Sequence, residues 1–142
     1  MTSVEQGAVL PLGHLDRFFV GGAWVTPSSD TTIDVIDPGS ERLFFRVAEA
    51  QAADMSGAVA AARKAFDEGP WPQMTHAQRA EYLRALAAGL RKRSGDVAQI
   101  WPRQSGALHT FAQTAGPDAA SMFEYYAGLA DTFAFEEPAT PT

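Results

Sequence analysis

The sequence has no cysteine among its 142 residues, which excludes disulfides, thiolate metal sites and a cysteine nucleophile within this stretch. Lysine is scarce as well: only Lys64 and Lys92 occur, and the net charge is −6. Nucleic-acid binding needs a clustered basic surface, so none is expected. The single basic run, Arg91 to Arg93, falls in the last turn of a helical stretch, where cations complement the helix dipole. No apolar run approaches the roughly 20 residues of a membrane span, so no membrane partner is expected. Met1 to Gln6 lacks a basic region and an apolar core, and a cytoplasmic protein is the expectation. His14, His76 and His109 stand far apart without a Glu-x-x-His companion, which argues against zinc or a histidine-based nucleophile. Adjacent Glu136 and Glu137 suit no acid/base pair, because neighbours on an extended segment face opposite ways. A Gly-x-Gly-x-x-Gly loop is also missing, and Gly21-Gly22 precedes no helix.

What is present is a chain of one domain's length, able to bury roughly two-thirds of its unfolded surface if it folds alone. The clearest pattern runs from Asp54 to Leu86. Met55, Ala58, Val59, Ala62, Ala65 and Phe66 recur at spacings of three and four, which predicts a helix with one buried stripe. Gly69-Pro70 ends it, with the glycine expected in the left-handed conformation. Thr75 and Gln78 form a capping box for a second helix, whose apolar face is Tyr82, Leu83, Leu86, Ala87 and Leu90. Val97 to Trp101 holds a further short helical turn that Pro102 interrupts, and Gly116-Pro117 cuts the next helical stretch. From Pro117 to Phe133 the pattern is helical again, with Tyr125 and Tyr126 read as core.

Ahead of the helices, Gly21-Gly22 supplies the positive φ angles of a primed hairpin turn between Arg17–Val20 and Ala23–Thr26. Thr32 to Ile36 alternates as a half-buried strand, Asp37-Pro38-Gly39 turns, and Leu43 to Val47 returns. The fold class expected is α+β and mostly helical: a small N-terminal antiparallel β-hairpin unit followed by three to four amphipathic helices. The strands fall at about 17–47 and the helices at about 53–133. A mobile terminus over residues 1–16 and a flexible tail over 136–142 flank them.

Phe18 to Val25, Ile33 to Pro38, Asp54 with Ala58 to Phe66, Gly69-Pro-Trp-Pro72, Arg79 to Leu83, and Tyr125 to Asp131 occur in order and at family-like spacing. Together they resemble the amino-terminal part of the aldehyde dehydrogenase superfamily. The resemblance implies an NAD- or NADP-dependent oxidation in which a cysteine thiolate attacks the aldehyde, an amide-lined pocket holds the oxyanion and a glutamate acts as base. By the same resemblance all of those parts follow the segment present here. Thr114 and Asp118 match places near the mouth of the substrate tunnel. The family's acidic, small, Gly-Lys-Pro signature is reduced here to Ser105 and Gly106, with uncharged Gln104 where some relatives use a carboxylate at a structural cation; that site is not carried over.

The expectation is therefore a truncated aldehyde-dehydrogenase-like chain, inactive alone and holding no cofactor by itself. Three alternatives stand beside it: a subunit of a split enzyme active with a separately encoded remainder, a non-enzymatic protein-interaction or regulatory module, and a degenerate gene product. Helices with wide apolar faces and no sheet to cover predict self-association or a protein partner.

Overall fold

The computed structural model describes residues 11–139; most of the terminus expected to be mobile, and the last three residues of the expected tail, lie outside the described residues. Two antiparallel hairpins precede four α-helices. Strands β1 (Phe18–Val20) and β2 (Ala23–Val25) pair Phe18 with Val25 and Phe19 with Trp24. Their turn has Gly21 and Gly22 at φ 61° and 84°, the two positive angles that match a two-residue loop to strand twist.

Strands β3 (Thr32–Asp37) and β4 (Arg42–Ala48) form the second hairpin. Val35 pairs with Phe45 but Ile36 pairs with Leu43, so Phe44 is an extra residue without a cross-strand partner. Successive strand residues ordinarily face opposite ways, and a bulge of this kind re-aims one of them. Phe44 and Phe45 are accordingly both buried, at 5% and 6% exposure.

Helix α1 (Ala52–Glu68) starts where Gln51 N–H donates to Asp54 Oδ2 at 2.8 Å. The Asp54 carboxylate also accepts from the backbone N–H and hydroxyl of Ser28, both at 2.8 Å, which ties the loop after β2 to the helix. The buried stripe expected on α1 is not buried: the helix has no buried residue, and Met55, Val59 and Phe66 are exposed. Only its Ala58–Ala61 side is half-covered, facing the first hairpin. Gly69 is extended, with φ −75°, not left-handed. Its role is steric, since a Cβ there would run into the Ala65 carbonyl.

A 3₁₀ turn (Trp71–Gln73) leads to α2 (His76–Lys92), capped as expected by Thr75 Oγ1 accepting from Gln78 N–H at 3.2 Å and Gln78 Oε1 accepting from Thr75 N–H at 2.9 Å. Helix α3 (Ser94–Ser105) runs through Pro102 and stops at Gly106, φ 73°, whose N–H returns to the Pro102 carbonyl. Helix α4 (His109–Thr132) runs through Gly116-Pro117. Both expected breaks are thus overturned. A proline inside a helix forfeits one ladder bond at a cost of ~3 kcal/mol, and the packing of α4 against both α2 and α3 outweighs it.

That packing uses the smallest side chains. Ala80 and Ala87 on α2 and Ala112, Ala120 and Ala127 on α4 are at most 2% exposed, and α2 packs along α4. Arg91 forks onto Glu124 with bonds of 3.2 and 2.5 Å, and Arg84 reaches Asp131 at 3.6 Å. Partner numbers fall as α2 numbers rise, so the helices run antiparallel. The tyrosines expected in the core are displaced by this alanine seam: Tyr125 and Tyr126 are 65% and 56% exposed.

At Gly116 a Cβ would lie 2.8 Å from Ser94 Cβ and 2.9 Å from Ser94 Cα. Gly116→Ala should therefore destabilise the fold by roughly 1–3 kcal/mol, read as a lower urea midpoint. Gly128→Ala, on the same helix but with nothing within 4 Å, should raise the midpoint, because alanine is favoured over glycine in a helix by about 1 kcal/mol.

Candidate functional site

Thr114 and Asp118 are four residues apart on α4 and so share one helical face. Both are exposed. Thr114 Oγ1 donates to the Phe111 carbonyl at 3.2 Å, and Phe111 and Met122 flank the pair, 65% and 63% exposed. The face is open and largely apolar, with one carboxylate and one hydroxyl.

The histidines stay apart. His14 lies 4.4 Å from Trp24 between ring centroids, His76 stacks on Phe135 at 3.7 Å, and His109 Nε2 is 3.1 Å from Gln113 Nε2. Among the described residues no three His, Asp or Glu side chains converge as metal ligands would. Ser56, Ser105, Thr114 and Ser121 give their hydroxyls to backbone carbonyls three or four residues earlier. Ser28 gives its hydroxyl to Asp54. None of these hydroxyls is set against an imidazole as a nucleophile would be.

Two features are invisible to local pattern. The first joins the second hairpin to α3: Arg103 Nε donates to Asp37 Oδ2 at 2.9 Å while its guanidinium lies 3.8 Å from the Phe44 ring centre. Asp37 Oδ1 also accepts from Gly39 N–H at 2.9 Å. The Arg103 hydrogen bond, followed by the Gly39 N–H, lowers the Asp37 pKa. The turn Asp37-Pro38-Gly39 was readable as a turn, but its partner is 66 residues away. The second is an apolar groove of about 910 Å³ between α2 and α3, lined by Trp71, Tyr82, Leu86, Leu90, Ile100 and Trp101 among others. At its edge Arg93 pairs with Asp96 at 2.8 Å and donates to the Pro11 carbonyl at 2.8 Å.

Residues 24–141 match the aldehyde dehydrogenase family. The chain is 39% identical over 117 residues to a mitochondrial benzaldehyde dehydrogenase of Antirrhinum majus, covering 82% of this chain and 22% of the relative. It is 37% identical over 116 residues to aldehyde dehydrogenase family 2 member B4, mitochondrial, of Arabidopsis thaliana, covering 81% and 22%. Betaine aldehyde dehydrogenase from Staphylococcus aureus, solved in complex with NAD+, superposes with a TM-score of 0.80 at 30% identity, over 89% of this chain and 25% of that one. The chain thus spans about a quarter or less of the length of these relatives, and its hairpins and helices match the amino-terminal part of their fold.

A lowered Asp37 pKa means that the folded state favours the carboxylate. Its stabilising contribution is present above the unfolded value of 3.8 and is lost as pH falls through the lower folded value. Asp37→Asn should be less stable than wild type at pH 7, and the gap in urea midpoint should close as pH is taken well below 3.8. A gap that persists unchanged in acid would contradict the assignment.

Proposed function

Since the chain belongs to the aldehyde dehydrogenase family, we propose that it forms the amino-terminal scaffold of such an enzyme and does not oxidise an aldehyde by itself. The observation that carries this is the pairing of a quarter-length match with a complete lack of cysteine. Oxidation through a thiohemiacetal needs a thiolate, and these residues cannot supply one.

The same proposal holds that the described residues form no cradle for the nucleotide. Gly21-Gly22 closes a hairpin and opens no helix. The amino terminus of α1 is occupied by the Asp54 carboxylate, which would repel a phosphate where free amide donors would attract one. NAD or NADP is accordingly proposed for the complete enzyme and not for this segment. In that enzyme the Thr114–Asp118 face of α4 would lie towards the substrate entrance, where a hydroxyl and a carboxylate can orient an incoming polar group. The aldehyde itself would be held and oxidised by residues outside the segment.

A second reading is that the remainder is supplied as a separate polypeptide and activity arises in trans; the exposed apolar side chains are the surface on which it would dock. A non-enzymatic interaction module would use the same surface without activity.

The purified chain with an aldehyde and NAD+ or NADP+ should show no rise in absorbance from reduced nicotinamide. Addition of a polypeptide carrying the family's cysteine and nucleotide-binding parts should restore turnover if the split reading holds, and bind without turnover if the chain is only an interaction module. Turnover by the chain alone would end the scaffold reading.

A further inference from the structure

Helix α4 is longer than either helix it packs on, and it changes partner part-way along. Its second half runs beside α2, where Glu124 meets Arg91 and Asp131 meets Arg84. Followed in that antiparallel register, Gly116 comes level with the end of α2: a Cβ there would lie 3.5 Å from the Leu90 carbonyl oxygen and 2.9 Å from Cα of Ser94, the first residue of α3. The first half of α4, from His109 to Ala115, lies beyond that point, where α3 is the helix it packs on.

Pro117 stands between these two halves. It carries no N–H for the Gln113 carbonyl, so the ladder loses one rung just where α4 passes from α2 to α3, and helices bend at such gaps. The direct covalent link between α2 and α3 is a single residue. Arg93 closes α2 and opens α3 with φ −104° and ψ 14°, belonging to neither helix, and α3 otherwise scarcely touches α2. These two links are neighbours in space, because Ser94 follows Arg93 and lies against Gly116. At its far end α3 is tied to the second hairpin by the Arg103–Asp37 bond.

We infer that Arg93-Ser94 and Gly116-Pro117 form a paired hinge. Helix α2 with the second half of α4 is one body; α3, the first half of α4 and the second hairpin are the other. Close contact at Gly116 keeps the bodies together, so the motion left to them is rotation about the line through the two links. Hinges of this kind confine the change in φ and ψ to a few residues at the ends of elements. Thr114 precedes the proline and Asp118 follows it, so the rotation alters their relative placement. That consequence for a substrate entrance rests on the proposed function; the hinge itself does not.

The test is double electron–electron resonance on the full chain, whose lack of cysteine lets spin labels be placed by substitution alone. Glu81→Cys/Gln99→Cys spans the hinge, and Glu81→Cys/Met122→Cys lies within one body; all three positions are exposed. With Pro117 in place the spanning pair should give the broader distance distribution. Adding Pro117→Ala restores a donor for the Gln113 carbonyl and should narrow the spanning distribution to the width of the within-body pair, which itself stays unchanged. Alanine is the better helix former, so this variant folds, and far-UV circular dichroism confirms it. Equal widths for the two pairs with Pro117 in place would overturn the hinge. So would a spanning distribution that Pro117→Ala leaves broad, or one that narrows only together with the within-body pair. None of these outcomes depends on turnover, so the scaffold reading and the hinge can fail separately.

Discussion

The fold depends on the close antiparallel approach of α2 and α4. Alanines line the contact, a glycine at 116 brings α4 within touching distance of Ser94 at the start of α3, and two arginine–carboxylate pairs spaced seven residues apart fix the register. Small residues set the separation, since interaxial distance between helices follows the side chains at the contact. The charge pairs at Arg84 and Arg91 are exposed and contribute modestly to stability; their geometry defines which turn of one helix faces which turn of the other. With α2 and α4 fixed, α3 is held between Gly116 and the Asp37–Arg103 bond, and the second hairpin is held in turn.

What the sequence revealed follows the range of each signal. Gly21-Gly22 and the Thr75–Gln78 box depend on neighbours a few residues away, and both adopt the expected conformations. Periodicity located the helices but misjudged what they bury. On α1 it marks a stripe at Met55, Val59 and Phe66 that the described residues leave uncovered. On α4 it placed the tyrosines in the core together with alanines such as Ala127, and the alanines are buried while the tyrosines are not. A hydrophobic period identifies a face that can be buried; whether a partner surface covers it depends on what else is packed nearby. The prolines failed as breakers because their local cost competes with tertiary packing that sequence spacing does not display. The Asp37–Arg103–Phe44 cluster and the α2–α3 groove join distant segments, and no local pattern points to them. The resemblance to aldehyde dehydrogenases was legible because it rests on several segments in order, a signal independent of how any one of them packs.

Large apolar side chains are ordinarily the most buried in a folded domain, and among the described residues many of them are not. Phe66, Leu108, Phe111, Met122 and Tyr125 are all more than 60% exposed. These side chains sit on elements that match the amino-terminal part of the relatives' fold, of whose length the chain spans about a quarter or less. Any ligand or partner that binds only the folded form would raise the apparent free energy of unfolding by mass action.

The alanine seam has one further consequence. Its fully buried positions already carry the smallest side chain with a Cβ, and Gly116 carries none. Deleting atoms there has almost nothing to delete, so the usual route to core damage, a void, is closed. Adding a single methyl pushes the two rods apart along their whole length. Random mutation at this contact is therefore one-sided: it can wedge the helices but not hollow them, and tolerance should track side-chain volume far more closely than hydrophobicity.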